Sequence, residues 1–134
     1  MKGVTSTIAL IVLLLITVAL AGAAWTYLSL FTSSIIENTY DIRDTFCING
    51  DTAVIMLANT GTLDLDVSDI SVIDHADGTA IAGDWYDTSG ANVITDIPVG
   101  EMGRWQETTG ACSPSCSYRV VGGSSKAQTA NIKC

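Results

Sequence analysis

The sequence predicts an α+β chain in which a long apolar N-terminal α-helix precedes an all-β domain. The first observation is that no Asp, Glu, Lys or Arg occurs from Gly3 to Ile36. The second is that all 14 acidic residues follow, from Glu37 onward, in a segment where short apolar runs alternate with Gly, Thr, Ser and Asn. The expected boundaries are 4–37 for the apolar helix, 38–46 for a polar linker and 47–134 for an exposed β-domain.

The N-terminal segment is long enough to cross a bilayer. Val4 to Phe31 exceeds the roughly 20 apolar residues that a membrane-spanning helix needs. Because it has no polar stripe, we expect it to be buried on every side, by lipid or by other helices, rather than to lie on a membrane surface. The residues up to Trp25 match one crossing, and Leu28 to Ile36 would continue as a stalk.

Small residues interrupt this segment between Ala19 and Ala24 and would let helix backbones approach closely. Trp25 and Tyr27 follow, and both residue types favour the membrane–water boundary. The residues that we expect to pack against other helices are Ile8, Ile11, Leu14, Leu15, Val18, Ala21, Gly22 and Trp25.

Three other interpretations of the segment compete with helix packing. One is a secretory signal peptide cut near Ala19-Leu20-Ala21, against which the apolar residues continue past that point. Another is an ordinary single-pass anchor for an extracellular domain. The third is the buried helix of a soluble core, which is improbable for an uncharged stretch of this length.

The remainder shows the short period of β-strands. Thr52 to Ala58 is a compact apolar run, and Leu63 to Val67 alternates apolar residues with aspartates. Further candidate strands are 71–73, 79–82, 91–94, 103–108, 118–121 and 127–133, with turns at Asn59-Thr60-Gly61, Asp77-Gly78 and Ile97-Pro98-Val99-Gly100. Six to eight short strands at this spacing favour an immunoglobulin-like β-sandwich. Trp85, Tyr86 and Trp105 are candidates for its core or for subunit contacts.

Four cysteines, all placed after the apolar segment, indicate two disulfides in an exported domain. They are Cys47, Cys112, Cys116 and Cys134, and they allow three connectivities. We favour Cys47 and Cys134 as long-range partners, although Cys112 or Cys116 could equally reach either of them. A zinc site is the less favoured alternative because Cys112 and Cys116 form the one closely spaced pair.

Several function classes are disfavoured by composition. A net charge of −8 does not suit nucleic-acid binding, which needs a basic surface. The one histidine, His75, lies in a predicted exposed turn, and no nucleophile–base constellation or phosphate-binding loop is visible. The aspartates between Asp64 and Asp77 do not follow the spacing of a calcium loop. We therefore expect neither an enzyme nor a bound metal or cofactor.

The start of the chain, Met1-Lys2-Gly3-Val4-Thr5-Ser6-Thr7-Ile8, followed by the apolar helix, resembles archaeal type IV pilin-like proteins, which include adhesion pilins and archaeal flagellins (archaellins). The resemblance implies a short basic leader at 1–3 and a cut by a membrane peptidase between Gly3 and Val4. The Glu that bacterial type IV pilins usually carry at the fifth mature position is absent here.

The function implied by the resemblance is that of a structural subunit of an extracellular adhesion filament, a homopolymer with packed helices at its centre and β-domains outside. Before assembly the subunit would reside in the cell membrane, where the leader peptidase and the assembly machinery act on it. Its later contacts would be surfaces or other cells. The alternatives are an archaellum subunit and a single-pass, membrane-anchored extracellular binding domain.

Overall fold

A computed structural model describes residues 2–35 and 37–134, with side chains described for 5–31 and 37–134. The chain divides into two compact units, residues 1–35 and 36–134. The first is the α-helix α1, Lys2–Ile35. Gly3 and Val4 lie in its first turn, whereas Met1 of the predicted leader and Ile36 of the predicted helix lie outside the described residues.

The second unit, the β-domain, consists of antiparallel sheets. Its strands are β1 (Tyr40–Ile48), β2 (Thr52–Asn59), β3 (Leu65–Asp66), β4 (Ile70–Asp74), β5 (Gly83–Tyr86), β6 (Asp96–Ile97), β7 (Met102–Glu107), β8 (Ser115–Gly122) and β9 (Gln128–Lys133). The larger sheet has the order β1-β2-β7-β5, the smaller has the order β4-β8-β9, and β3 pairs with β6. The long apolar helix and the all-β remainder confirm the predicted α+β class.

The two main sheets share one hydrophobic core. Alternate residues of β2, β4, β8 and β9 point into it, such as Ile55 and Leu57 from β2 and Val120 from β8, all fully buried. Trp105 of β7 meets Tyr118 of β8 edge to face, with ring centroids 6.0 Å apart, so that this pair joins the two sheets. Trp85 and Trp105 are buried core residues, while Tyr86 is half-buried.

The predicted linker at 38–46 is wrong, because most of it forms β1. Strand β1 pairs with β2 from Tyr40↔Asn59 to Ile48↔Thr52. An irregularity in this pairing between Ile42 and Asp44 breaks the alternation of side chains. Charged residues on an exposed edge strand, together with this break, hid the strand's period from sequence analysis.

Other predicted strands also differ. The alternating run Leu63–Val67 gives only the two-residue β3, because the Asp66 carboxylate caps a following turn by accepting from the Ser68 N–H at 2.9 Å. The candidates at 79–82 and 91–94 form only the isolated bridges Ile73↔Ala80 and Tyr86↔Val93. The predicted strands over 52–58, 71–73, 103–108, 118–121 and 127–133 correspond to β2, β4, β7, β8 and β9.

Glu107, at the end of β7, is a buried carboxylate that sequence analysis did not single out. It is 2 % exposed, and it accepts hydrogen bonds from the Ala53 N–H at 3.2 Å, the Thr109 hydroxyl at 2.6 Å and the Ala111 N–H at 3.1 Å. The pKa of the Tyr118 hydroxyl is raised, mainly because the group is buried and also because it hydrogen-bonds this carboxylate. Glu107 therefore connects three elements, which are β2, the loop that follows β7, and strand β8.

Two disulfides close the end of the β-domain where β1 finishes. Cys47 joins Cys134, with Cα atoms 5.2 Å apart, and Cys112 joins Cys116, with Cα atoms 5.0 Å apart. The favoured long-range pairing is confirmed. It connects an edge strand of the larger sheet to the residue that follows β9 in the smaller one.

We expect Glu107→Ala to lower the free energy of unfolding of the β-domain by roughly 3 kcal/mol or more, because buried donors lose their acceptor. The measurement is urea denaturation of the detergent-solubilised full chain, followed by tryptophan fluorescence. Glu101→Ala, at an exposed position of the same strand region, is the control and should stay within about 0.5 kcal/mol of the unchanged chain. Equal stability of the two variants would contradict the assigned role of Glu107.

The two disulfides should contribute unequally. Their sequence separations are 87 and 4 residues, and loop-closure entropy gives roughly 4.5 kcal/mol for the long loop and roughly 2 kcal/mol for the short one. Replacing Cys47 and Cys134 by Ala should therefore lower the urea midpoint more than the same change at Cys112 and Cys116. The reverse order would show that restraint of the unfolded chain is not the main contribution.

Candidate functional site

Helix α1 exposes apolar side chains on every side. Of the residues predicted to pack against other helices, Ile11 is 53 % exposed and Trp25 is 74 % exposed, and the other large ones fall between these values. Ala21 and Gly22 are exposed as well. Consecutive residues from Leu10 to Ile16 are all exposed, so no single face of the helix is set apart.

Two threonine hydroxyls of α1 are hydrogen-bonded within the helix. The Thr17 hydroxyl donates to the carbonyl oxygen of Leu14 at 2.8 Å, and the Thr26 hydroxyl donates to that of Gly22 at 3.0 Å. A hydroxyl bonded in this way can enter an apolar environment without losing its hydrogen bond. These residues therefore do not oppose burial of the helix in lipid or among other helices.

By length and composition α1 can cross a membrane. The apolar stretch Thr5–Phe31 has 27 residues and a mean hydropathy of 2.7. At 1.5 Å per residue it is about 40 Å long, which exceeds the hydrocarbon layer of about 30 Å. Around Gly22, no heavy atom other than the adjacent helix backbone lies within 4 Å of the position that a Cβ would take, so a larger side chain would meet no neighbouring side chain of α1.

The residues that begin the β-domain are hydrogen-bonded to two other segments of that domain, 60–62 and 124–125. We call Glu37–Thr39 the entry segment, because it is the part of the β-domain that follows α1 in sequence. Its carbonyl oxygens accept from the N–H groups of Thr62, Ser124 and Thr60 at 3.2, 2.9 and 3.0 Å. The next residue, Tyr40, donates its N–H to the Ser125 hydroxyl at 2.8 Å. The β-domain thus fixes the backbone at the start of β1.

The potential metal ligands of the described residues are dispersed over the β-domain. His75 lies exposed in the turn after β4. Residues 2–35 and 37–134 contain no group of three or more His, Cys, Asp or Glu side chains that could hold a metal ion, and their four cysteines are paired.

The aspartates between Asp64 and Asp77 instead accept hydrogen bonds from neighbouring turns and loops. Asp77 accepts from the Thr79 N–H and hydroxyl, and these bonds lower its pKa. Asp66 bonds Ser68 in the same way, with a lowered pKa. Asp64 accepts from the Val99 N–H at 3.2 Å. These carboxylates therefore stabilise turns.

Comparison with protein-family models gives no match, and comparison with curated proteins gives none either.

Proposed function

We propose that this chain is a structural subunit of an extracellular helical filament of the archaeal type IV pilus kind, of the adhesion type, and that it polymerises through α1. The observation that carries the proposal is the uncharged helix surface from Thr5 to Phe31, which is apolar on all sides. The Lys2-Gly3 pair near the start of the chain is the second support, because it resembles the end of the leader in archaeal pilins.

The energetics favour burial of this surface among copies of the same helix. Each large apolar side chain contributes roughly 1.5–3 kcal/mol when it leaves water, and α1 carries more than a dozen of them. In a bilayer the same side chains already contact hydrocarbon, so the drive to associate largely disappears. One helix can therefore hold the subunit in the membrane first and form the filament centre afterwards.

The length of α1 favours a filament over a plain anchor. The helix has 34 residues and is about 50 Å long, which exceeds the hydrocarbon layer by roughly 20 Å. A simple anchor has no need for this additional uncharged length, whereas a helix packed among its own copies buries all of it.

We further propose that the β-domain is an immunoglobulin-like sandwich. When β3 and β6 are set aside, the strands follow the orders β1-β2-β7-β5 and β4-β8-β9. The constant-type immunoglobulin arrangement has strands A-B-E-D in one sheet and C-F-G in the other, which is the same order when the seven strands are lettered in sequence. Such a domain would coat the outside of the filament.

The proposed partners follow from this assembly. They are many copies of the chain itself, the membrane before assembly, a leader peptidase and assembly machinery, and afterwards surfaces or other cells. A single-pass, membrane-anchored binding domain is the second candidate, and it is favoured by Trp25 and Tyr27, which are 74 % and 72 % exposed about one bilayer crossing from Val4.

A larger side chain in the small-residue region of α1 distinguishes the filament subunit from the membrane-anchored binding domain. We expect Gly22→Leu to abolish filaments, because a bulky side chain prevents close approach of helix backbones, while the subunit stays in the membrane fraction, because Leu suits lipid. The measurement is electron microscopy of filaments sheared from cells, with the membrane content determined by immunoblot. Leu14→Ile conserves volume and is the matched control that should still assemble. If no filaments contain the unchanged chain, the anchor is the better description.

Processing at the N-terminus is tested separately. We expect mass spectrometry of the assembled subunit to find Val4 as its first residue, since the resemblance places a cut after Gly3. Gly3→Leu should retain residues 1–3 and leave the subunit in the membrane, whereas Thr7→Ser should be processed normally. An assembled subunit that still begins with residues 1–3 would contradict the proposed cut.

A further inference from the structure

An open groove lies between β1 and β9, which are edge strands of the two main sheets. Near the start of β1, side chains bridge this boundary, because the Gln128 amide accepts from the Ile42 N–H at 3.0 Å and donates to the Tyr40 carbonyl at 2.8 Å. Farther along, the boundary opens into a groove of about 600 Å³. Its lining includes Thr45, Phe46, Ser115, Ser117, Asn131 and Lys133. A second groove of about 360 Å³ shares Thr45 and Asn131 with it.

We propose that this groove binds an oligosaccharide and prefers one that carries a carboxylate. A sugar ring presents hydroxyl groups at its edge and an apolar C–H face, and the groove offers partners for both. Ser117 donates its hydroxyl to the Asn131 amide oxygen at 2.8 Å, which turns the amide so that its nitrogen is available as a donor. Lys133 supplies the cation that a sugar carboxylate would contact.

The aromatic element is Phe46, whose ring is held in place from the side of β7. The guanidinium carbon of Arg104 lies 5.5 Å from the centre of the Phe46 ring, a distance at which a cation attracts an aromatic face. Arg104 is itself confined, since a Cβ added to Gly90 would collide with its guanidinium. A ring that is already ordered loses less entropy when a sugar packs against it.

The groove is also rigid. Cys47 and Cys116 both contribute to its lining, and each belongs to a different disulfide. Its volume falls within the roughly 300–1,000 Å³ of small-molecule sites. The Thr45 hydroxyl also donates to the Asn131 carbonyl at 3.4 Å across the groove. Walls fixed in this way allow a polar ligand to bind without reorganisation of the protein.

The position of the groove suits a ligand-binding surface. Phe46 follows Tyr40 by six residues, which places it about 20 Å along β1 from the entry segment. Binding there does not require the filament, so the inference stands or falls independently of polymerisation.

An extended peptide is the less favoured occupant. Peptides that add to a sheet edge gain specificity from pockets for alternate side chains, whereas the polar part of this lining consists of small hydroxyl and amide groups and one cation.

The test is calorimetric titration of the detergent-solubilised full chain with two tetrasaccharides. One alternates glucuronate with N-acetylglucosamine, and the other is the uncharged tetramer of N-acetylglucosamine. We expect both to bind and the charged one to bind more tightly. Lys133→Gln should raise the Kd of the charged probe about fivefold and leave that of the uncharged probe unchanged. Asn131→Ala should weaken both. Both positions are exposed, so these changes leave the core intact.

The matched control is Lys126→Gln, which removes the same charge from an exposed position between β8 and β9 and should change neither Kd. The proposal is overturned if neither probe binds at millimolar concentration. It is overturned equally if Lys126→Gln and Lys133→Gln weaken the charged probe alike, since the attraction would then be unspecific. Displacement of the probes by an octapeptide of alternating Val and Thr, with no effect of Asn131→Ala, would assign the groove to strand addition instead.

Discussion

The constraint on which the rest of the molecule depends is that α1 has no side suited to water. Its side chains from Thr5 to Phe31 are uncharged and exposed in every direction. Lipid or other apolar helices must therefore cover the helix. It follows that the β-domain has to fold on its own residues, and its core, drawn from both main sheets, is built in that way.

The β-domain has a core of only modest size, since a segment of about one hundred residues buries a limited apolar area. Two features compensate for this limit. The Cys47–Cys134 disulfide connects the edges of the two sheets. The buried Glu107 carboxylate accepts hydrogen bonds from β2, from the loop after β7 and from Tyr118 of β8. Both act between elements rather than within one, so they oppose separation of the sheets. The acidic surface, with a net charge of −8 for the chain, keeps the domain soluble.

Sequence patterns predicted the features that depend on local composition. The helix, the strands with continuous apolar runs and the long-range disulfide were visible because each has a regular period or a limited number of partners. The alternating run Leu63–Val67 was misleading, since only Leu65–Asp66 forms a strand. Strand β1 was not, because its pairing is irregular between Ile42 and Asp44 and its charged residues imitate a linker. Glu107 and the groove beside Phe46 were missed for a different reason. Their neighbours, such as Ala53 and Asn131, are distant in sequence and meet only after the sheets have paired.

The position of β1 also explains why its bonds are distributed as they are. Because β1 follows α1 directly and lies at a sheet edge, a pull on the helix would load this strand before any other. An edge strand is hydrogen-bonded to a neighbouring strand on one side only, so under load it detaches progressively, beginning at its end. Here the start is held by the backbone bonds of the entry segment and by Ser125 and Gln128. Seven residues after Tyr40, Cys47 is joined covalently to the end of the chain. Separation that began at Tyr40 would thus stop at the disulfide, and β2 to β9 would keep their fold. If the proposed filament function holds, this arrangement keeps the β-domain folded while the helix passes from lipid into the polymer.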